Sequence, residues 1–127
     1  MSRLSGAAAF WLLAWAAVPA QAANGAGGDA TRGAAVYEDK CTGCHSLDAN
    51  RVGPAHRGVY GRKAGSAKGY AYSAGLVRSK IIWSEATLDR WLTNPQAFIK
   101  GARMGFRLDD PAKRADVIAY LRKTSGK

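Results

Sequence analysis

Two thiols and an imidazole stand close together in Cys41-Thr42-Gly43-Cys44-His45. Thiols at this spacing can each add to one vinyl group of a haem, and the histidine that follows can ligate the iron. The run C-x-x-C-H therefore reads as a c-type haem attachment site. One turn of backbone has to carry both thioether bonds and an axial ligand, which is why the spacing matters. Three other uses of the same residues stand beside this one. A thioredoxin-like redox pair calls for a βαβ pattern nearby, and none is visible. Zinc calls for four ligands, for which the chain offers only Cys41, Cys44, His45 and His56, two of them adjacent. A structural disulfide between Cys41 and Cys44 suits an exported chain.

Export is what the start of the chain predicts. Arg3 is the only charge before an apolar stretch from Ala7 through Val18, and Pro19-Ala20-Gln21-Ala22 follows with small residues at the two positions of an A-x-A exit. A basic start, a short apolar core and such an exit are the form of a secretory signal peptide. The apolar stretch falls well short of the ~20 residues a spanning helix needs. Residues 1–22 are expected to be removed after Ala22, so that no membrane span remains and residues 23–127 act as a periplasmic domain. That domain is small enough to bury only about two-thirds of its extended surface, so a covalently held haem would supply much of its core.

Without Arg3 the chain carries 18 Lys and Arg against 9 Asp and Glu. An excess of this size points to an acidic partner. The lysines are scattered and show no basic run with interleaved aromatics, so nucleic acid is excluded in favour of an acidic protein surface.

The elements that must position these groups are helical. Asn24 to Gly28 reads as a flexible leader. Asp29 caps a first helix reaching Lys40, with Gly33, Val36 and Tyr37 on one face. Ser46 to Tyr72 is glycine-rich and contains Pro54, which predicts loop. A short helix is expected over Ala71 to Ser79. Ser84 caps another that ends near Asn94, and Asn94-Pro95 opens a short turn running to Gly101. Asp110-Pro111 starts a last helix ending by Gly126, with Val117, Tyr120 and Leu121 as its buried stripe. No strand pattern of useful length appears and the class is all-α, one domain without repeats. Gly33 lets a second backbone approach closely and Tyr120 offers a flat partner, so the first and last helices are expected to cross there.

From Gly33 to Lys123 the chain resembles a mitochondrial-type class I cytochrome c of bacterial origin. The resemblance rests on ordered motifs: Cys41–His45, Arg51-Val52-Gly53-Pro54, Gly58 through Gly65, Tyr70-Ala71-Tyr72, Ile82-Trp83, Leu92-Thr93-Asn94-Pro95, Lys100 through Phe106, and Asp116 through Leu121. It implies a small monohaem fold in which the terminal helices cross and long loops wrap the haem. It further implies that His45 and Met104 ligate the iron, with the Pro54 carbonyl against the His45 N–H. Tyr72 and Trp83 would donate to a haem propionate, Arg62 would neutralise it, and Phe106 would shield the Met104 side from water. Met104 is the one methionine left after signal removal; ordinary core packing is its alternative use. His56 reads as a surface histidine, with a bis-histidine iron as the competing reading. The chain departs from the family pattern at Ala102 (often a hydroxyl residue), Trp91 (often tyrosine), Leu76 (often an amide) and Arg57 (often a histidine that ties a loop).

The function these readings imply is that of a monomeric electron carrier rather than an enzyme. Such a carrier would take single electrons from a quinol–cytochrome c oxidoreductase or periplasmic dehydrogenase and pass them to a membrane terminal oxidase. A peroxidase, or the haem subunit of a dehydrogenase, is the competing class; the first needs an open iron site and distal acid–base groups. Residues flanking an exposed haem edge lie close in sequence to its ligands. Lys40, Lys63, Lys100, Arg103 and Arg107 are thus the expected docking ring.

Overall fold

A computed structural model describes residues 27–127; the expected signal peptide, its cleavage point and most of the leader lie outside the described residues. Among the described residues five helices follow in order: α1 Ala30–Lys40, α2 Ala74–Arg78, α3 Glu85–Thr93, α4 Pro95–Phe98 and α5 Pro111–Thr124. Among the described residues the only extended pairing is an isolated bridge between Lys63 and Ile82.

Each helix begins where a side chain satisfies its orphan amides. The Asp29 carboxylate accepts from Arg32 N, Asp110 accepts from Ala112 N and Lys113 N ahead of Pro111, and Asn94 accepts from Ala97 N. Ser84 and Thr87 form a reciprocal capping box at α3. Caps of this kind contribute about 1 kcal/mol each. The helix expected over Ala71 to Ser79 is shorter, because the Ser73 hydroxyl caps it by accepting from Leu76 N and the helix starts only at Ala74. Ala71 is drawn elsewhere, its carbonyl accepting from Arg103 Nη1 at 3.1 Å.

The frame is the crossing of α1 and α5. Gly33 is buried in it, and a β-carbon there would overlap the Asp116 carbonyl and stand 2.9 Å from Tyr120 Cβ. The stripe of α5 is wider than its periodicity predicts: Asp116, Val117, Ile118 and Leu121 are buried, whereas Tyr120 is half-buried. The reason is that α5 packs on α1 along one side and on α3 along another, so two stripes merge.

Asp116 is a buried carboxylate with three donors: Arg32 Nε at 2.8 Å, Arg32 Nη2 at 2.9 Å and Asp29 N at 2.7 Å. The Arg32 hydrogen bond, then the Asp29 amide, hold its carboxyl below the usual range. A depressed carboxylate contributes stability that is whole above its unfolded value of about 4 and is lost as pH falls through the folded one. Asp116→Asn is therefore expected to be less stable than wild type in urea at neutral pH, with the gap closing in acid. A gap that is constant with pH would show that this pair adds no linked stability.

Candidate functional site

The helices and loops enclose a cavity of about 420 Å3, within the range of cofactor pockets. Its first wall is built by the thiol segment. The amide of Cys41 donates to Tyr37 O at the end of α1, and Cys44 N and His45 N both turn back on Cys41 O at 3.1 and 2.9 Å. This winding brings Cys41, Cys44 and His45 onto the cavity together. The cysteines are not joined by a disulfide. Burial, with Cys44 nearby, pushes the Cys41 thiol up to about 11.

His45 is held by the next loop. Its Nδ1–H donates to the Pro54 carbonyl at 2.9 Å, which leaves Nε2 as the bare nitrogen. Gly53 lies directly against the ring, and a β-carbon there would overlap it. Arg51 clasps the segment by donating from Nη1 to the carbonyls of Thr42 and His45. Burial lowers the His45 imidazole below its ordinary value, against the opposing effect of the Pro54 hydrogen bond.

His56 is not the surface histidine its loop suggests. It is half-buried on the cavity wall, its ring stacked on that of His45 with centroids 3.9 Å apart. Burial, the neighbouring His45 and Arg62 push it down to about 3. Two imidazoles stacked face to face cannot approach one iron from opposite sides, so the bis-histidine arrangement does not fit. No period or motif flags His56 in the sequence. The apolar lining it joins was partly legible: Leu88, Trp91 and Leu92 follow helical spacing on α3.

A further part of the lining comes from the loop after α4. Gly101 takes φ 83, a turn that sends Ala102 into the core and Met104 to the cavity. Met104 is half-buried there, and Phe106, 39% exposed, sits at the rim. Arg62, Tyr72 and Trp83 also line the cavity. One backbone bond, Trp83 N to Arg62 O at 2.9 Å, fixes the two side by side. Arg62 donates from Nη2 to Ala55 O and from Nη1 to Arg57 O, while its Nε is buried and without a partner among the described residues. A buried guanidinium N–H left unmatched is costly and is what a cofactor carboxylate would satisfy. Tyr72 Oη accepts from Ala67 N at 3.0 Å, leaving its own proton to donate.

Four departures from the expected pattern now have surroundings. Ala102 is buried and brings no hydroxyl. Trp91 packs on Trp83 at 5.4 Å between ring centroids. Leu76 is a buried apolar part of the wall. Arg57 replaces the missing histidine tie: its guanidinium grips the Asp48 carboxylate with both Nε and Nη2, and its amide donates to Leu47 O.

All nine residues expected around the cofactor line this same cavity. Of the five expected docking residues, Lys40 and Arg103 are exposed on its rim, whereas Lys63, Lys100 and Arg107 are exposed away from its wall. Apolar walls, two unpaired thiols at attachment spacing and an unmatched guanidinium N–H together fit a haem with a carboxylate side chain. No helix among the described residues is long and apolar enough to cross a membrane.

The model of the cytochrome c family matches residues 30–125. A cytochrome c of Gibberella zeae is 39% identical over 104 residues, covering 79% of this chain and 98% of the relative. One from Arabidopsis thaliana is 40% identical over 98 residues, covering 74% and 88%. Among solved structures, cytochrome cH from Methylobacterium extorquens aligns with a TM-score of 0.72 and 41% identity over 76% of this chain and 99% of that one. Sequence, fold and cavity agree that this chain belongs to the cytochrome c family, an electron carrier that holds haem c covalently through Cys41 and Cys44.

Proposed function

We propose that the chain is a periplasmic carrier in which His45 and Met104 would hold the haem iron, exported by residues 1–22 and cleaved after Ala22. The observation that carries this reading is the His45 ring, whose Nδ1 is committed to the Pro54 carbonyl in a cavity that Met104 also lines. Haem supplies a one-electron ferric–ferrous couple when bound. The residues decide how that couple is used. The Pro54 bond keeps the His45 ring in one orientation and one tautomer. The Met104 thioether favours the reduced state and raises the potential. With the iron held by His45 and Met104, no position would be left for a substrate, which is the reason to read the protein as a carrier of electrons and not as an enzyme. Arg62, Tyr72 and Trp83 bind and neutralise a propionate, and Phe106 limits water at the Met104 side.

Single electrons pass, on this reading, from a quinol–cytochrome c oxidoreductase or periplasmic dehydrogenase to a membrane terminal oxidase. Docking uses Lys40, Arg103, Lys63, Lys100 and Arg107 against an acidic surface. Lys40 is partly neutralised by Asp39 at 3.0 Å, so Arg103 is the stronger contributor at the rim. Such charges steer encounter, and screening sets in over about 8 Å at physiological salt.

The test is bimolecular electron transfer from the reduced monomer to an isolated oxidase across a salt series. Charge reversal at Arg103 is expected to slow transfer at low salt and flatten the salt slope while the potential stays put. Equal slowing by reversals at Lys123 and Lys127 would show that only net charge matters. Failure of the wild type to reduce any such oxidase would sink the carrier reading itself.

A further inference from the structure

We propose that His56 is a positioning residue for the axial imidazole, setting the plane of the His45 ring through face-to-face contact while Tyr37 holds His56 in place. The inference rests on the reading of His45 as an iron ligand.

One hydrogen bond, from His45 Nδ1 to Pro54 O, anchors a ring at a single point on its edge and leaves it free to rock about that point. Contact on a face removes this freedom. The His56 ring lies 3.9 Å from the His45 ring, centroid to centroid, with planes only 22° apart. Gly53, with no side chain, brings its backbone against the same imidazole. His45 is thus gripped at its edge by Pro54, on a face by His56 and closely by Gly53.

His56 is itself fixed. Its Nδ1 shares a 3.1 Å hydrogen bond with Tyr37 Oη, and the two rings meet edge to face at 5.7 Å. Tyr37 is buried and packs on Tyr120 of α5 at 5.3 Å. The contacts therefore run without a break from the α1–α5 crossing through Tyr37 and His56 to His45. A flat ring suits this place because it stacks on a second flat ring over its whole face, and its nitrogen can be tied to a hydroxyl. An aliphatic side chain would fill the volume and leave the angle open.

The orientation of an axial imidazole governs how unpaired spin spreads over the oxidised haem, which is read from the pattern of haem-methyl NMR shifts. The experiment compares this pattern, the reduction potential and the melting temperature in wild type, His56→Ala, His56→Phe, Tyr37→Phe and Ile118→Ala. Ile118 is buried on α5 and does not line the cavity, so it serves as the destabilised control. His56→Ala is expected to displace the methyl pattern and the potential, and Tyr37→Phe to displace them in the same direction by less. His56→Phe, which keeps a flat face but loses the tie to Tyr37, is expected to be displaced no further than Tyr37→Phe. Ile118→Ala is expected to lose melting temperature only. Should His56→Ala fail to accumulate, the Tyr37→Phe displacement carries the test. A wild-type pattern in both His56→Ala and Tyr37→Phe overturns the proposal, as does a His56→Phe pattern displaced as far as that of His56→Ala. If the wild-type His45 ring signals, identified by histidine labelling, lack the large shifts of an iron ligand, the underlying ligand reading falls instead.

Discussion

Met104→Ala is expected to abolish the weak red absorption of thioether sulfur on ferric iron and to open the oxidised protein to added imidazole or cyanide. The potential should fall by on the order of a tenth of a volt or more, within the about 0.8 V over which axial ligands set haem potentials. The direction follows from the chemistry: a thioether favours the reduced state, and water or an added anion in its place does not. The side chains nearest Met104 in sequence, and the one spare imidazole, are poor replacements. Arg103 and Phe106, the near neighbours on the loop, carry no iron-ligating atom, and the His56 ring is engaged in its stack on that of His45. Met104 is only half-buried, so its truncation is expected to cost less than the ~2–5 kcal/mol of a fully buried methionine. Optical spectra, a potentiometric titration and ligand-binding titrations check the three effects. A variant with the wild-type spectrum and potential would show that Met104 only fills space, and it would reopen the case for chemistry at an iron with a free position.

What the sequence made legible is local. Helix starts are written in single residues, so Asp29, Ser84, Asn94 and Asp110 cap where they stand. The thiol run is wound by hydrogen bonds no longer than one turn, which is why five consecutive residues suffice to announce it. What stayed hidden depends on contacts between distant segments. Asp116 is buried because Arg32, far away in sequence, meets it across the crossing. His56 stands in a glycine-rich loop where no period exists to say which way a side chain faces. The Arg57–Asp48 pair restores a loop tie whose loss is visible in sequence, but its replacement is not, since an exposed arginine and aspartate announce nothing by themselves. The cavity walls were intermediate: helical spacing finds Leu88, Trp91 and Leu92 as one face, yet only the fold tells that this face meets the His45 segment.

Gly33→Ala is the variant in which helix propensity and packing predict opposite signs. On an exposed helical face, alanine in place of glycine gains about 1 kcal/mol. At Gly33 the added β-carbon would overlap the Asp116 carbonyl carbon and oxygen and stand 2.9 Å from Tyr120 Cβ. No rotamer change relieves a clash with backbone, so α1 and α5 must move apart. That movement pulls on Arg32, whose guanidinium reaches Asp116 across the same contact at 2.8 and 2.9 Å, and on the Tyr37–Tyr120 pair beside it. Overpacking costs ~1–3 kcal/mol where side chains can give way, and the rigidity of the partner here puts the expected cost at the upper end. Gly33→Ala is thus expected to lose about 2 kcal/mol net of propensity, read as a lower urea midpoint at unchanged slope. Ala35→Gly, the reverse exchange at an exposed position two residues on, calibrates the comparison. It is expected to lose about 1 kcal/mol through propensity alone. If propensity ruled α1, the two exchanges would have opposite signs; if the crossing rules it, both destabilise and Gly33→Ala does so more. A Gly33→Ala protein as stable as wild type would mean that the two helices are free to separate at this point, and that the path of contacts from α5 through Tyr37 to the haem side of the molecule is not rigid.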